Sequence, residues 1–404
     1  MLEQQPVRRF RNVAELIAKS GENLDCAYRA GVMTIYGRST QERQIELLDG
    51  RTIVDFQRGS YLGLDNHPSI VAGAMNALNR YNSLQWSGAR TRLNFAITKD
   101  LEDSLAGLFG CRAMVFSLVL TANMGVLPLL ACGALTNGRR PVIVVDRFAH
   151  ATISYHKAVM AEDTEVIIID HNNLEELEDI CRTRSFVAFL CDGVYSMGGA
   201  APIKELIRLQ EKYGLFLYID DAHGVSIRGR YGEGFARSEF GERLNDLTMI
   251  VASLSKGFGV TGSVVMIANE AQERVLRQYA VPHAFSMGPS IPAIGAALAS
   301  AELHKSPELS VRQSRLNAMN VFFNAQWDED AVKHDLPIKM IRIGDAKRTI
   351  SIAASLIENG FYLAAAFFPA VPHDKAALRV CLTADHHETD IARLCALVKD
   401  LTKS

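Results

Sequence analysis

The sequence holds no C-x-x-C pair, no long run of Lys or Arg, no internal repeat and no low-complexity tract. Its seven cysteines (Cys26, Cys111, Cys132, Cys181, Cys191, Cys381 and Cys395) are odd in number and scattered. That pattern argues against a disulfide framework or a zinc site and for reduced thiols in a cytosolic protein. A formal net charge of -2 supplies no electrostatic reason to expect nucleic acid or an anionic membrane as partner. The opening stretch MLEQQPVRRFRN is polar and lacks the apolar centre of a signal peptide, so a cytoplasmic location is expected. One charge-free stretch, Ala113–Gly138, is long enough to cross a bilayer. Ser117, Thr121, Asn123, Gly125, Pro128 and Gly133 interrupt it, however, and no second such stretch exists. A buried segment of a soluble protein, with no membrane span, is the expectation.

At 404 residues the chain is too long for one small core, and a large domain with a smaller one is the expected arrangement. Short apolar runs rich in Val and Ile end abruptly in polar residues: Pro141–Val145, Glu165–Ile169, Phe186–Leu190, Leu215–Ile219 and Thr248–Ala252. Such runs read as strands buried on both faces. Helical spacing lies between them, as in Ile203, Leu206, Ile207 and Leu209. Alternation of this kind predicts an α/β fold with a mostly parallel sheet covered by helices. Past about residue 290 the texture changes to helices over 292–303 and 310–327, short strands over 338–343 and 378–382, and a closing helix over 388–401. The expected division is an N-terminal arm and helix over 1–50, a large domain over 51–290, and a small α+β domain over 291–404.

In open α/β sheets ligands gather at the carboxyl ends of the strands. Those ends carry Asp146, Asp192, Asp220, Asp221, His223, Ser253 and Lys256. A single strand-end acid is usually a helix cap, but the set as a whole points to chemistry. The segment Gly257–Gly262 (GFGVTG) matches G-x-G-x-x-G literally. Ser263–Ala268 (SVVMIA) reads as a strand, whereas a dinucleotide fingerprint must open a helix, so nicotinamide dinucleotide binding is not expected. Asp385–Glu388 (DHHE) could suggest a metal site. An acidic first helical turn explains it more simply, and no metal is expected. Asp220 and Lys256 are the more informative pair. A lysine beside small polar residues can form an imine with pyridoxal 5′-phosphate, and a carboxylate can keep the pyridine nitrogen protonated so that the ring withdraws electrons. Taken alone, Lys256 could equally be a surface lysine in a Gly-rich turn.

Several ordered segments carry a resemblance: Ser60–Pro68 (SYLGLDNHP), Asp146–Thr152 (DRFAHAT), Asp192–Pro202 (DGVYSMGGAAP), Phe216–Gly224 (FLYIDDAHG), Ser253–Gly262 (SLSKGFGVTG) and Leu378–His387 (LRVCLTADHH). From about Phe56 onward the sequence resembles the α-oxoamine synthases, which are fold-type I enzymes dependent on pyridoxal 5′-phosphate. The resemblance implies a Schiff base on Lys256, a pyridine-nitrogen partner in Asp220, and His223 near the cofactor's 3′-oxygen. It places His150 against the ring, Ser196 beside the cofactor, and Ser253 on the phosphate. It also implies that Ser117, Leu118 and Val119 form the phosphate-binding helix start, that Ser286 reaches the phosphate of the other subunit of a homodimer, and that Arg379 clamps an amino-acid carboxylate. Arg92 and Ser60 are substrate-side residues on the same ground. The implied reaction joins an amino acid to an acyl thioester, on CoA or an acyl-carrier protein, with loss of CO2 to give an α-aminoketone. Transamination by the same residues and a non-catalytic partner subunit are the alternatives.

The sequence also departs from the family. Leu118 and Val119 stand where Gly and an aromatic are usual, Gly59-Ser60-Tyr61 replaces Asn-Asp-Tyr, Ser87–Arg92 alters a Gly-rich segment, and Thr98 stands where His is frequent. These differences argue for a branch in specialised metabolism or signal synthesis and against the biotin and haem pathways.

Overall fold

The computed structural model describes residue 10 and residues 13–40, 43–85, 88–327 and 333–403. Contacts divide the chain into two compact units, residues 60–314 and residues up to 59 joined with 315–404. The larger unit is built on a seven-stranded sheet. Edge to edge its strands are Arg112–Phe116, Ser263–Ile267, Thr248–Ser253, Phe216–Asp220, Val187–Asp192, Val142–Asp146 and Val166–Ile169. All run the same way except Ser263–Ile267, which is antiparallel to both neighbours. Every predicted apolar run forms its strand. The four central strands are buried along their whole length, as their unbroken Val, Ile, Leu and Phe content requires when helices cover both faces.

The covering helices start and stop where local chemistry says they should. Leu174–Thr183 is capped by the Asn173 side chain and carries Glu175 and Glu176 in its first turn, where the helix dipole favours acids. Ile203–Tyr213 buries Ile203, Leu206 and Leu209 and ends at Gly214 with φ +69°, a backbone glycine adopts without strain. The charge-free stretch resolves into the strand Arg112–Phe116, the helix Val119–Ala131 and a short 3-10 turn. Among the described residues, no helix is long and apolar enough to cross a membrane.

Two features part from the boundaries read at 50 and 290. Helix Ile291–His304 lies in the larger unit, packed against Pro68–Tyr81. Their backbones meet so closely that a Cβ on Gly295 would stand 2.3 Å from that of Ala77. In the smaller unit, Thr52–Asp55 pairs in parallel with Phe361–Tyr362, which ties the N-terminal segment to the C-terminal one. That unit also holds a three-stranded antiparallel sheet with Ala376–Cys381 between Ile338–Gly344 and Ala364–Ala366. Helices Val13–Arg29, Ala346–Glu358 and Glu388–Lys403 also belong to it.

Candidate active site

Because six strands of the large sheet share a direction, their carboxyl ends collect on one edge. Asp192 and Asp220 are paired across adjacent strands. Ser253 lies opposite Ser263, which in turn sits beside the end of Arg112–Phe116. Lys256 follows on the loop that joins Ser253 to Ser263 and is half-buried. The glycines of that loop have a packing reason and open no helix, since the strand Ser263–Ile267 follows them. A Cβ on Gly257 would meet the Val225 carbonyl at 2.7 Å, and one on Gly259 would meet Leu64 at 2.6 Å.

Asp220, Asp192, Asp221 and His223 are all buried here. Burial pushes the Asp220 carboxyl upward, and the positive charges of Lys256 and His150 oppose that push, as do hydrogen bonds from the Ala222 amide (3.0 Å) and Thr152. Burial raises Asp192 well above the carboxylate range, with the Asp220 charge adding to the effect. Its Oδ1 accepts the His150 backbone N–H at 2.9 Å. Burial also drives His150 downward; Asp220 counters this and Lys256 reinforces it. Lys256, Asp220 and His150 thus form one electrostatic group, and His150 is neutral near pH 7. Its Nδ1 faces the Thr152 hydroxyl at 2.9 Å.

His223 sits three residues beyond Asp220, and its Nδ1 lies 2.6 Å from the fully buried Tyr61 hydroxyl. Ser253 accepts the Ser255 amide at 3.1 Å, and Ser196 is half-buried on the loop after Asp192. Ser117 donates to the Met287 carbonyl at 2.7 Å. Leu118 caps the helix Val119–Ala131 in an extended conformation and is half exposed. The Leu118 amide donates to the Thr121 hydroxyl, and the first-turn amides from Val119 onward have no acceptor within the helix. Ser286 donates to the Pro282 carbonyl at 2.8 Å. Ser60 is spent within its own loop, donating to Asp65 at 2.6 Å. Arg92 is exposed in a turn closed by its amide on the Ala89 carbonyl. Ser87 of the altered segment lies outside the described residues. Arg379 belongs to the smaller unit, buried on the central strand of its sheet opposite Met340 and Ala364. In the same unit His386 stacks on Phe56 with ring centres 4.0 Å apart, and both its nitrogens are engaged, by Thr383 and by the Asp55 carbonyl.

Sequence reasoning passed over Tyr61 and Thr152, and gave Asp192 no partner. Thr152 lies two residues from His150, where a hydroxyl often caps, so it was within reach. Tyr61 is 162 positions from His223, and no local signal joins them.

The chain belongs to the aminotransferase class I and II family, whose model matches residues 51–398. Within it the protein is an α-oxoamine synthase that uses pyridoxal 5′-phosphate. The sequence is 30% identical over 365 residues to the 8-amino-7-oxononanoate synthase of Geobacter sulfurreducens, covering 88% of this chain and 90% of that one. It is 32% identical over 353 residues to the enzyme of the same name from Marinomonas sp., covering 86% and 85%. Among solved structures, a serine palmitoyltransferase from Sphingomonas wittichii matches with a TM-score of 0.84 at 22% identity, over 97% of this chain and 98% of that one. An 8-amino-7-oxononanoate synthase from Francisella tularensis matches with a TM-score of 0.71 at 22% identity, over 87% and 98%.

The residues fit the cofactor. Asp220 is a fully buried carboxylate whose surroundings reward a positive partner, as a protonated ring nitrogen would be. Lys256 would supply the amine, and the helix start at Val119 offers amides of the kind that hold phosphate.

Proposed function

We propose that this protein joins an amino acid to an acyl thioester. The new carbon–carbon bond forms at the α-carbon, the thiol leaves, and the carboxyl group departs as CO2, giving an α-aminoketone. The grouping of Lys256, Asp220 and neutral His150 at one sheet edge carries this reading. Bound there, pyridoxal 5′-phosphate supplies an electron sink for the amino acid's α-carbon. The protein's own groups do the rest. Lys256 takes the α-proton and returns one at the end. Asp220 keeps a proton on the ring nitrogen, and His150, neutral at working pH, donates a hydrogen bond to the thioester oxygen as charge develops there. With the cofactor bound, His223 would orient its ring oxygen, Ser196 would stand on the cofactor's side of its loop, and Ser253 with Ser117, Leu118 and Val119 would hold its phosphate. We assign Arg379 to the amino-acid carboxylate, which suits a planar fork of donors. Arg92 is kept as a substrate-side residue, while Ser60 is engaged by Asp65 and acts through its loop.

We further infer a cytoplasmic homodimer in which Ser286 serves the other subunit. Exposed apolar side chains support the pairing, among them Leu118, Leu120, Met124, Tyr155 and Phe285, the last 82% exposed. The replacement of the Asn by Gly59 and the presence of Thr98 support a substrate outside the biotin and haem pathways.

Two measurements test the reading. Borohydride treatment followed by peptide mapping should fix the cofactor on the Lys256 peptide. An amino acid labelled in its carboxyl carbon should then release labelled CO2 in step with product. Retained label with product formed would rule out the decarboxylative route. Amino-group transfer to the cofactor without any acyl donor would favour transamination instead, and failure to take up cofactor would favour a non-catalytic subunit.

A further inference from the structure

Ser226 is a non-glycine residue held at φ +73°, a left-handed backbone region that L-residues other than Asn and Asp rarely adopt. It is fully buried three residues after His223, and every polar group it has is tied. Its amide donates to the Gly232 carbonyl at 2.9 Å. Its carbonyl accepts the Gln313 side-chain amide at 2.9 Å. Its hydroxyl lies 2.8 Å from Nε2 of His304, a residue only 1% exposed.

The protonation of His304 follows from its partners. Nδ1 lies 2.8 Å from the Ser300 carbonyl, which can only accept, so Nδ1 carries the hydrogen. Burial drives the imidazole down to about 4, so the ring is neutral near pH 7. Nε2 is then a lone pair, and Ser226 donates to it. The ring also stacks on Phe258 with centroids 4.4 Å apart. The Phe258 carbonyl in turn accepts the Ser300 hydroxyl at 2.7 Å.

These contacts converge on the lysine loop. Gly257, next to Lys256, packs so tightly on the strained turn that a Cβ there would stand 2.7 Å from the Val225 carbonyl and 2.9 Å from the Ser226 Cβ. The next residue, Phe258, is held by Ser300 and His304. Helix Ile291–His304 therefore grips the loop through its backbone and through the turn beneath it. Asp220, His150 and Asp192 are among the charged groups that act on Lys256 itself, whereas burial and the Ser300 carbonyl are what shift His304.

We propose that His304 is a positioning residue, which with Ser226 and Ser300 fixes where Lys256 stands. The idea rests on the assignment of Lys256 as the cofactor lysine, but it can be tested without cofactor. In the full chain stripped of cofactor, His304→Ala should raise the labelling rate of Lys256 by an amine-reactive ester about threefold, as the loop gains freedom. In the loaded enzyme the same change should lower kcat about tenfold, with the amino acid KM altered by less than about twofold. His304→Gln, which restores one donor and one acceptor, should recover most of both. Ser226→Ala removes only the hydroxyl and carries the test if His304→Ala fails to fold. A lower melting temperature with unchanged Lys256 labelling in the folded variants would overturn the proposal and leave His304 a packing residue. A protein that never takes up cofactor would defeat the functional reading above, and the labelling result would still decide this one.

Discussion

Asp220 and Asp221 are adjacent in sequence and face opposite duties. Asp220 meets Lys256 and His150, and Asp220→Asn should keep the cofactor while lowering kcat/KM by about 10²-fold or more, since a charge fixed in a dry site is lost. Steady-state kinetics alongside cofactor absorbance would check this. Asp221 lies beside the Asp220 charge and accepts the Ala236 amide at 2.9 Å, and burial pushes its carboxyl up to about 8. The unfolded carboxyl titrates near about 3.9, so the fold favours the protonated form. That contribution is complete below about pH 4 and is lost as pH rises through about 8. Asp221→Asn should therefore flatten the decline in urea midpoint between about pH 5 and 8. A variant with the wild-type slope would show that Asp221 does not titrate in this way. The placement of Lys256 and Asp220 at the carboxyl edge of the sheet was legible in the sequence because each follows an apolar run, while the roles given to them came from the family resemblance. The pairing of Tyr61 with His223 and of Ser226 with His304 was not, since 162 and 78 positions separate the partners and only the folded chain brings them together.

At the scale of elements, the strands were legible because burial on both faces leaves almost no polar residue within them. The helix start that follows the first of them was harder to read. Family resemblance implied a glycine after Ser117, yet Leu118 adopts φ −148°, an extended conformation open to any residue. What fixes the start is Thr121, whose hydroxyl both accepts from the Leu118 amide and donates to its carbonyl at 2.7 Å. Thr121→Val should cost about 1 kcal/mol of stability and weaken cofactor retention on dialysis, with unfolding curves and absorbance as the readouts. Gly224 is a different kind of constraint: a Cβ there would fall 1.9 Å from the Asp221 carboxylate. Gly224→Ala should destabilise the protein by about 2 kcal/mol or more, visible as a lowered urea midpoint.

Across the whole molecule, burial holds four histidines far below their usual value: His283, His304 and His334 at about 4 and His386 at about 3. Each is neutral in the fold and protonates near about 6.5 when the chain unfolds. Their contribution is present above about pH 6.5 and lost as pH falls through about 4, at up to about 1.4 kcal/mol per pH unit for each proton. Stability should thus fall steeply over that window, and His386→Phe should reduce the slope measured by denaturant titration. The inferred dimer makes a separate prediction. Phe285→Glu should shift sedimentation toward monomer and lower activity together, whereas a wild-type monomer with full activity would contradict the pairing. The division into units was the least legible property at this scale. Sequence texture changes near residue 290, but what joins the N-terminal segment to the C-terminal one is a parallel strand pair between Val54 and Phe361, and no local pattern records a partner so distant.

The single antiparallel strand of the large sheet has a kinetic consequence. Ser263–Ile267 returns directly alongside Thr248–Ser253, so the segment that carries Lys256 is the nine-residue tip of a hairpin, residues 254–262, closed by the pairing of Ser253 with Ser263. Hairpins form in about 1–10 μs, and a loop this short costs little chain entropy to close. The strand's other neighbour, Arg112–Phe116, must arrive from 147 positions away, as the pairing of Ser263 with Phe116 records. In the order of folding, the amine can be presented by an early local event, while the carboxylate, the histidines and the helix start that surround it wait for the slow closure of the sheet.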